Sequence, residues 1–175
     1  MSTLKRVARP AAGSSPWAGA GPQGGGLALD DSPAALLMRV ANVIHAEVTS
    51  VYAKQHALTV PEWRLLARLH ESAPMQLAAL CRTSFFDKAY AGRVLRPLQE
   101  RGLVSMETDA AHKRRVIVDI TPAGRALARQ VQPVARRSQM RLLETLDDPE
   151  RDALYATLHK LLAALSAPAQ PERDA

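Results

Sequence analysis

From Gln76 onward the chain places three pieces of punctuation closer together than most folds allow. A short helical stretch, Gln76 to Cys81, turns Leu77 and Leu80 inward and gives way to a tight Arg82-Thr83-Ser84 connection. A second helix starts at once and runs to about Arg101, with Ala91, Val94, Leu95 and Leu98 on its apolar face and Gly102 as its stop. Ser84 with Asp87 three residues on reads as a capping box at its start. Pro97 removes one backbone donor and is expected to kink or loosen its last turn. Two short strands follow, Leu103 to Thr108 and Arg115 to Ile120. The second alternates Val116, Val118 and Ile120 inward with Arg115 and Asp119 outward. Between them lies a polar loop, Asp109 to Arg114. Helix, turn, helix and a hairpin with a basic tip is the order of a winged helix-turn-helix. Its second helix can lie in the major groove of a duplex and its hairpin against the minor groove or backbone.

The flanks are helical. Ser32 can cap and Pro33 suits a first turn, so a long helix is predicted over roughly 33–56, with Leu36, Leu37, Val40, Ile44, Val48 and Val51 at helical spacing. A second stripe on it reads Met38, Asn42, His45, Thr49, Tyr52 and His56. Thr59 and Glu62 form a capping box for a helix to about His70 that carries Trp63, Leu65, Leu66 and Leu69; Ala73-Pro74 breaks it. Thr121-Pro122-Ala123-Gly124 opens a helix of roughly 122–146. Asp147-Asp148-Pro149-Glu150 starts a last one, with Leu154, Leu158, Leu161, Leu162 and Leu165 on one side. The fold class is therefore mainly α with a small β-hairpin wing. The domain reading is a disordered Gly- and Pro-rich arm over 1–30, helices over 31–58 and 122–166 that flank a DNA-binding lobe over 59–121, and a flexible tail over 167–175. The arm carries Lys5, Arg6 and Arg9, which serve either as DNA-phosphate contacts or as a solvated tail.

Composition removes competing classes. Lys and Arg total 23 against 17 Asp and Glu, a formal charge of +6, which points to a polyanionic partner. A single cysteine, Cys81, excludes an internal disulfide and favours a reducing, cytoplasmic setting. No run of about 18 apolar residues is found to span a bilayer, and the first residues lack a secretory apolar stretch, so no membrane is expected. His45, His56, His70, His112 and His159 form no short ligand spacing, and there is no nucleophile motif or glycine-rich phosphate loop; no metal, cofactor or catalytic activity is expected.

Residues of about 33 to 165 resemble the MarR family of multiple antibiotic resistance regulators. The likeness lies in Asp87-Lys88 opening the second helix, Gln99-Glu100-Arg101-Gly102-Leu103-Val104 closing it, and the stretch from Asp109 to Thr121 forming the wing and its exit. The resemblance implies homodimers assembled from the first and last two helices. It also implies repression at pseudo-palindromic double-stranded operators and release by a small aromatic acid or phenol. The family wing usually has an acidic residue where this chain has His112 and a tip arginine where it has Ala111, so wing contacts rest on Lys113 and Arg114.

With its apolar face inward, the second helix presents Lys88, Tyr90, Arg93 and Arg96 outward. Arg93 is the candidate base reader, because a guanidinium pairs bidentately with guanine; Lys88 and Arg96 are placed on phosphates, and Tyr90 on a thymine methyl or a phosphate. Thr83 and Ser84, read as the helix start, can offer hydroxyls and amides to a phosphate. For the effector, a cradle for an aromatic or pyridine carboxylate is expected from Asn42, His45, Thr49 and Tyr52, closed by Trp63 and Arg64 with His70 nearby. Buried helix packing is the reading of Cys81, against an oxidant sensor. Two other classes stay open: a non-specific, architectural DNA-binding protein without effector, and a helical interaction module whose basic surface is incidental.

Overall fold

The computed structural model describes residues 15–18, 27–108 and 115–166. The chain divides into two compact units, Met1–Ala135 and Arg136–Ala175, the division falling inside one helix.

In the first unit a helix begins at Pro33, where the Ser32 hydroxyl accepts the N–H of Ala35. It runs as α1 (Pro33–Val43), a π-helical stretch (Ile44–Thr49) and α2 (Ser50–Gln55). The expected length is found; the π stretch is not foreseen by an α-helical reading. Val51 is exposed, whereas Thr49, Tyr52 and Ala53 are buried. The inward face of α2 is thus the stripe with Thr49 and Tyr52, not the one ending in Val51. By length and composition this 23-residue helix is apolar enough to cross a membrane, which corrects the expectation that no such stretch exists. Only 6% of its most apolar window is buried.

The Thr59–Glu62 capping box forms as expected, with the Thr59 N–H donating to Glu62 Oε2 at 2.7 Å, and starts α3 (Val60–Ser72). A two-residue strand, β1 (Met75–Gln76), then leads into α4 (Leu77–Ser84). Phe85 ends α4 in the left-handed region, φ 56°, with its N–H and that of Phe86 donating back to Arg82 and Cys81 carbonyls. This is the closure usually made by glycine. α5 (Lys88–Glu100) follows, capped by Asp87, whose carboxylate accepts the Tyr90 N–H at 2.7 Å. The turn is therefore Phe85-Phe86-Asp87, and the expected Ser84 cap is wrong: Ser84 is the last residue of α4, and the carboxylate three residues later holds the amides. Gly102, φ 65°, ends α5 as expected, and Pro97 lies inside the helix without ending it.

β2 (Val104–Thr108) and β3 (Val116–Ile120) form the antiparallel hairpin, in register Val104 with Ile120 and Thr108 with Val116. β1 adds to the far side of β3, giving the order β1-β3-β2. α6 (Pro122–Leu143) packs its start tightly: a Cβ on Gly124 would lie 2.1 Å from the Leu103 carbonyl oxygen. Leu65, Leu66, Leu69, Leu80, Leu95, Leu98, Val118 and Val131 are completely enclosed, so one core joins α3, α4, α5, the sheet and the start of α6. This core fixes the angle at which α5 leaves the body.

In the second unit, Asp147 and Glu150 exchange backbone and carboxylate hydrogen bonds to start α7 (Asp148–Ser166). Its apolar side chains are left in the open: Tyr155, Leu162 and Leu165 are exposed, with Leu154, Leu158 and Leu161 beside them.

Candidate nucleic-acid interface

α5 buries Ala91, Leu95 and Leu98 and turns Lys88, Arg93 and Arg96 to solvent. Tyr90 is half-buried and sits between two neighbours. Its ring meets Phe86 edge-on at 4.9 Å between centroids, and the Arg93 guanidinium lies 5.6 Å from its centre. Phe86, Tyr90 and Arg93 thus form a continuous row of ring and cation contacts along the start of α5. Arg96 pairs with Glu100 one turn on, at 2.9 Å, both exposed. Such a surface pair contributes about 0.3–0.5 kcal/mol, so a phosphate can displace the carboxylate.

Thr83 and Ser84 do not stand at the start of α5. Thr83 donates its hydroxyl to the Ala79 and Leu80 carbonyls within α4, and Ser84 is buried. The free amides of the α5 N-terminus belong to Lys88 and its followers, so Thr83 and Ser84 lose the amide role expected for them. Lys113 and Arg114 lie outside the described residues.

The effector residues separate into groups. Tyr52 and Trp63 meet in the core, their rings edge-on at 6.2 Å, and Thr49 is buried as well. Asn42 and His45 are exposed further up the helix. Arg64 points to the turn instead, donating to the Ser84 carbonyl at 2.9 Å and covering Phe86 at 5.0 Å. Trp63 and Arg64 do line a cleft of about 330 Å³, but its other walls include Thr83, Ser84 and Phe85, not Asn42, His45, Thr49 or Tyr52. His70 is half-buried, and its Nδ1 is enclosed without a hydrogen-bond partner among the described residues.

Cys81 lies at the floor of a second cleft, about 340 Å³, and burial followed by the nearby Asp87 carboxylate pushes its thiol above the ordinary cysteine range. That environment suits packing rather than a reactive thiolate. Phe86, which joins the ring contacts of α5, and Arg82 and Arg115, which rim this second cleft, are not marked by the periodic sequence pattern. The Phe85-Phe86 pair beside a polar helix start was the available signal.

A three-stranded winged helix-turn-helix with a cationic outward face on α5 defines a DNA-binding protein. The comparisons place it further. The MarR family profile matches residues 57–115. The HTH-type transcriptional repressor Rv2887 of Mycobacterium tuberculosis is 33% identical over 133 residues, which cover 75% of this chain and 95% of the relative. The repressor NicR of Pseudomonas putida is 29% identical, covering 72% and 80%. The structure of BpsR from Bordetella bronchiseptica, whose DNA binding is regulated by 6-hydroxynicotinic acid, superposes with a TM-score of 0.67 at 26% identity, covering 74% and 98%. The chain belongs to the MarR family of transcriptional regulators and is not an enzyme.

Proposed function

We propose that this protein is a homodimeric, operator-specific repressor that a small aromatic or heteroaromatic carboxylic acid releases from DNA. The observation that carries the DNA half is the exposed row Lys88, Arg93 and Arg96 on a helix held outward by an enclosed core. Support for the dimer comes from apolar surface left exposed among the described residues: Leu37, Met38, Val40 and Val43 on α1 and, in the other unit, the leucine face of α7. Surfaces of this kind are covered by a partner in working proteins, and for a repressor acting on DNA in the cytoplasm a second copy is the partner at hand. A two-fold axis then sets the two α5 helices on half-sites about 10 base pairs apart.

Support for the ligand half is the regulation of BpsR by a hydroxypyridine carboxylate. The cradle proposed for it draws on Asn42, His45, Thr49 and Tyr52 with Trp63, Arg64 and His70; these do not all come together in the single chain, so a ligand there needs both a partner over α1 and a swing of Arg64 away from the Ser84 carbonyl. The test is a gel-shift titration of the DNA flanking its own gene against random duplex at fixed salt, repeated with 6-hydroxynicotinate. Preference for the flanking DNA of about 10³-fold or more, lost on adding the acid, is the expected result. Equal binding to both duplexes favours the architectural reading suggested by the +6 charge alone.

A further inference from the structure

We propose that the cleft between α4, the start of α5 and the start of β3 seats one phosphodiester of the DNA backbone, gripped by Arg82, Lys88 and Arg115. Arg82 and Arg115 are then backbone-positioning residues of the interface. The inference rests on the reading that α5 enters duplex DNA.

Three cations from three different elements rim this one cleft: Arg82 from the last turn of α4, Lys88 from the first residue of α5, and Arg115 immediately before β3. All three are exposed, and among the described residues no hydrogen bond or ion pair engages any of their side chains. Other arginines of the same unit are committed: Arg64 to the Ser84 carbonyl, Arg68 to Glu71, Arg96 to Glu100, Arg101 to the Ala57 carbonyl and Arg125 to Asp119. Like charges gathered at one cleft repel one another, so the arrangement is relieved by an anion at their centre.

The floor decides what kind of anion. Leu77, Cys81 and Val116 form an apolar base, so a bound charge stays at the rim, among the cations and in reach of the solvent-side phosphate chain. Among the described residues, the Asp87 carboxylate near Cys81 already accepts the Tyr90 N–H. Lys88 also lies at the α5 N-terminus, whose unpaired amides favour negative charge. Because the cleft opens beside the outward face of α5, a backbone held there fixes the register in which Arg93 meets the base edges.

The full-length protein is titrated with operator-containing duplex and with random duplex between 50 and 200 mM salt. Wild type, Arg82→Gln, Arg115→Gln and Arg82→Lys are compared, each checked for an unchanged melting temperature. Each Gln variant is expected to lower the log–log salt slope by at most about 0.9, the contribution of the one phosphate that the three cations share, so its deficit against wild type shrinks by up to about 3.5-fold across this range. The loss is equal on both duplexes, operator preference is kept, and Arg82→Lys restores the slope. Unchanged slopes in both Gln variants, with wild type binding DNA, overturn the phosphate seat. A wild type that binds neither duplex overturns the DNA reading itself. Selective loss on operator alone also overturns the seat, since it marks the two arginines as base readers.

Discussion

Arg64 on α3 hands a hydrogen bond of 2.9 Å to the Ser84 carbonyl, twenty residues along the chain, and lays its guanidinium over Phe86. The tie crosses from the body of the lobe to the turn between the two DNA-binding helices. That turn needs it, because Phe85 holds a left-handed conformation that a side chain other than glycine adopts at a penalty. Arg64→Ala is expected to lower the unfolding free energy by about 1–2 kcal/mol, from one charge-assisted hydrogen bond and a half-buried cation–π contact. Urea denaturation measures it, and a parallel gel shift should show weaker binding to operator and random DNA alike.

Arg93→Ala tests base reading. Operator affinity should fall by about 1–3 kcal/mol with preference relaxed at one base position. An equal fall on random duplex would reduce Arg93 to a phosphate contact.

Gly124→Ala tests the seam between wing and α6. The added methyl would lie 2.1 Å from the Leu103 oxygen and 2.8 Å from Ile120 Cγ1, and backbone is the less yielding of the two. Overpacking here should destabilise by at least about 1–3 kcal/mol. A melting temperature equal to that of wild type would contradict the placement of α6.

Asp87→Ala removes the true cap of α5 and should cost about 1 kcal/mol, while Asp87→Asn retains most of it because an amide oxygen accepts the same N–H. Thermal melts of the two variants decide the point.

Cys81 gives a pH prediction. Its thiol is pushed above the ordinary cysteine range, chiefly by burial and then by Asp87. Well below the ordinary thiol range both folded and unfolded chains keep the proton and the thiol adds no pH dependence. Through that range the unfolded chain loses its proton first, so the contribution declines as pH rises. Alkylation of the native protein should therefore start at higher pH than alkylation in urea; coincident profiles would contradict the burial.

The elements that could be read from sequence are those closed by local chemistry. The Thr59–Glu62 box, the Gly102 stop and the alternation along β3 each state their structure within a few residues. The misplaced turn has an equally local cause. α4 ends at Phe85, where a phenylalanine occupies the place of glycine, so the chain carries no visible stop and Ser84 passes for a cap. β1 is two residues long and pairs with β3, Met75 opposite Val118, too short to leave a periodic trace. The effector stripe was ambiguous for another reason. Asn42 and His45 on the open side and Thr49 and Tyr52 on the inner one share a helical period, and polarity does not say which of them faces protein. Arg82 and Arg115 lie far apart in sequence, and only folding brings them to one cleft.

The π-helical stretch Ile44–Thr49 bears on how relatives of this chain can differ. Such a stretch accommodates one residue more than an α-helix of equal length while leaving the two ends in their mutual orientation. A sibling sequence lacking a single residue there would form an uninterrupted α-helix and still present the faces of α1 and α2 in the same directions. Gaps in this helix among relatives should therefore cluster at 44–49, and counting positions across them by simple offset would misassign every residue on one side.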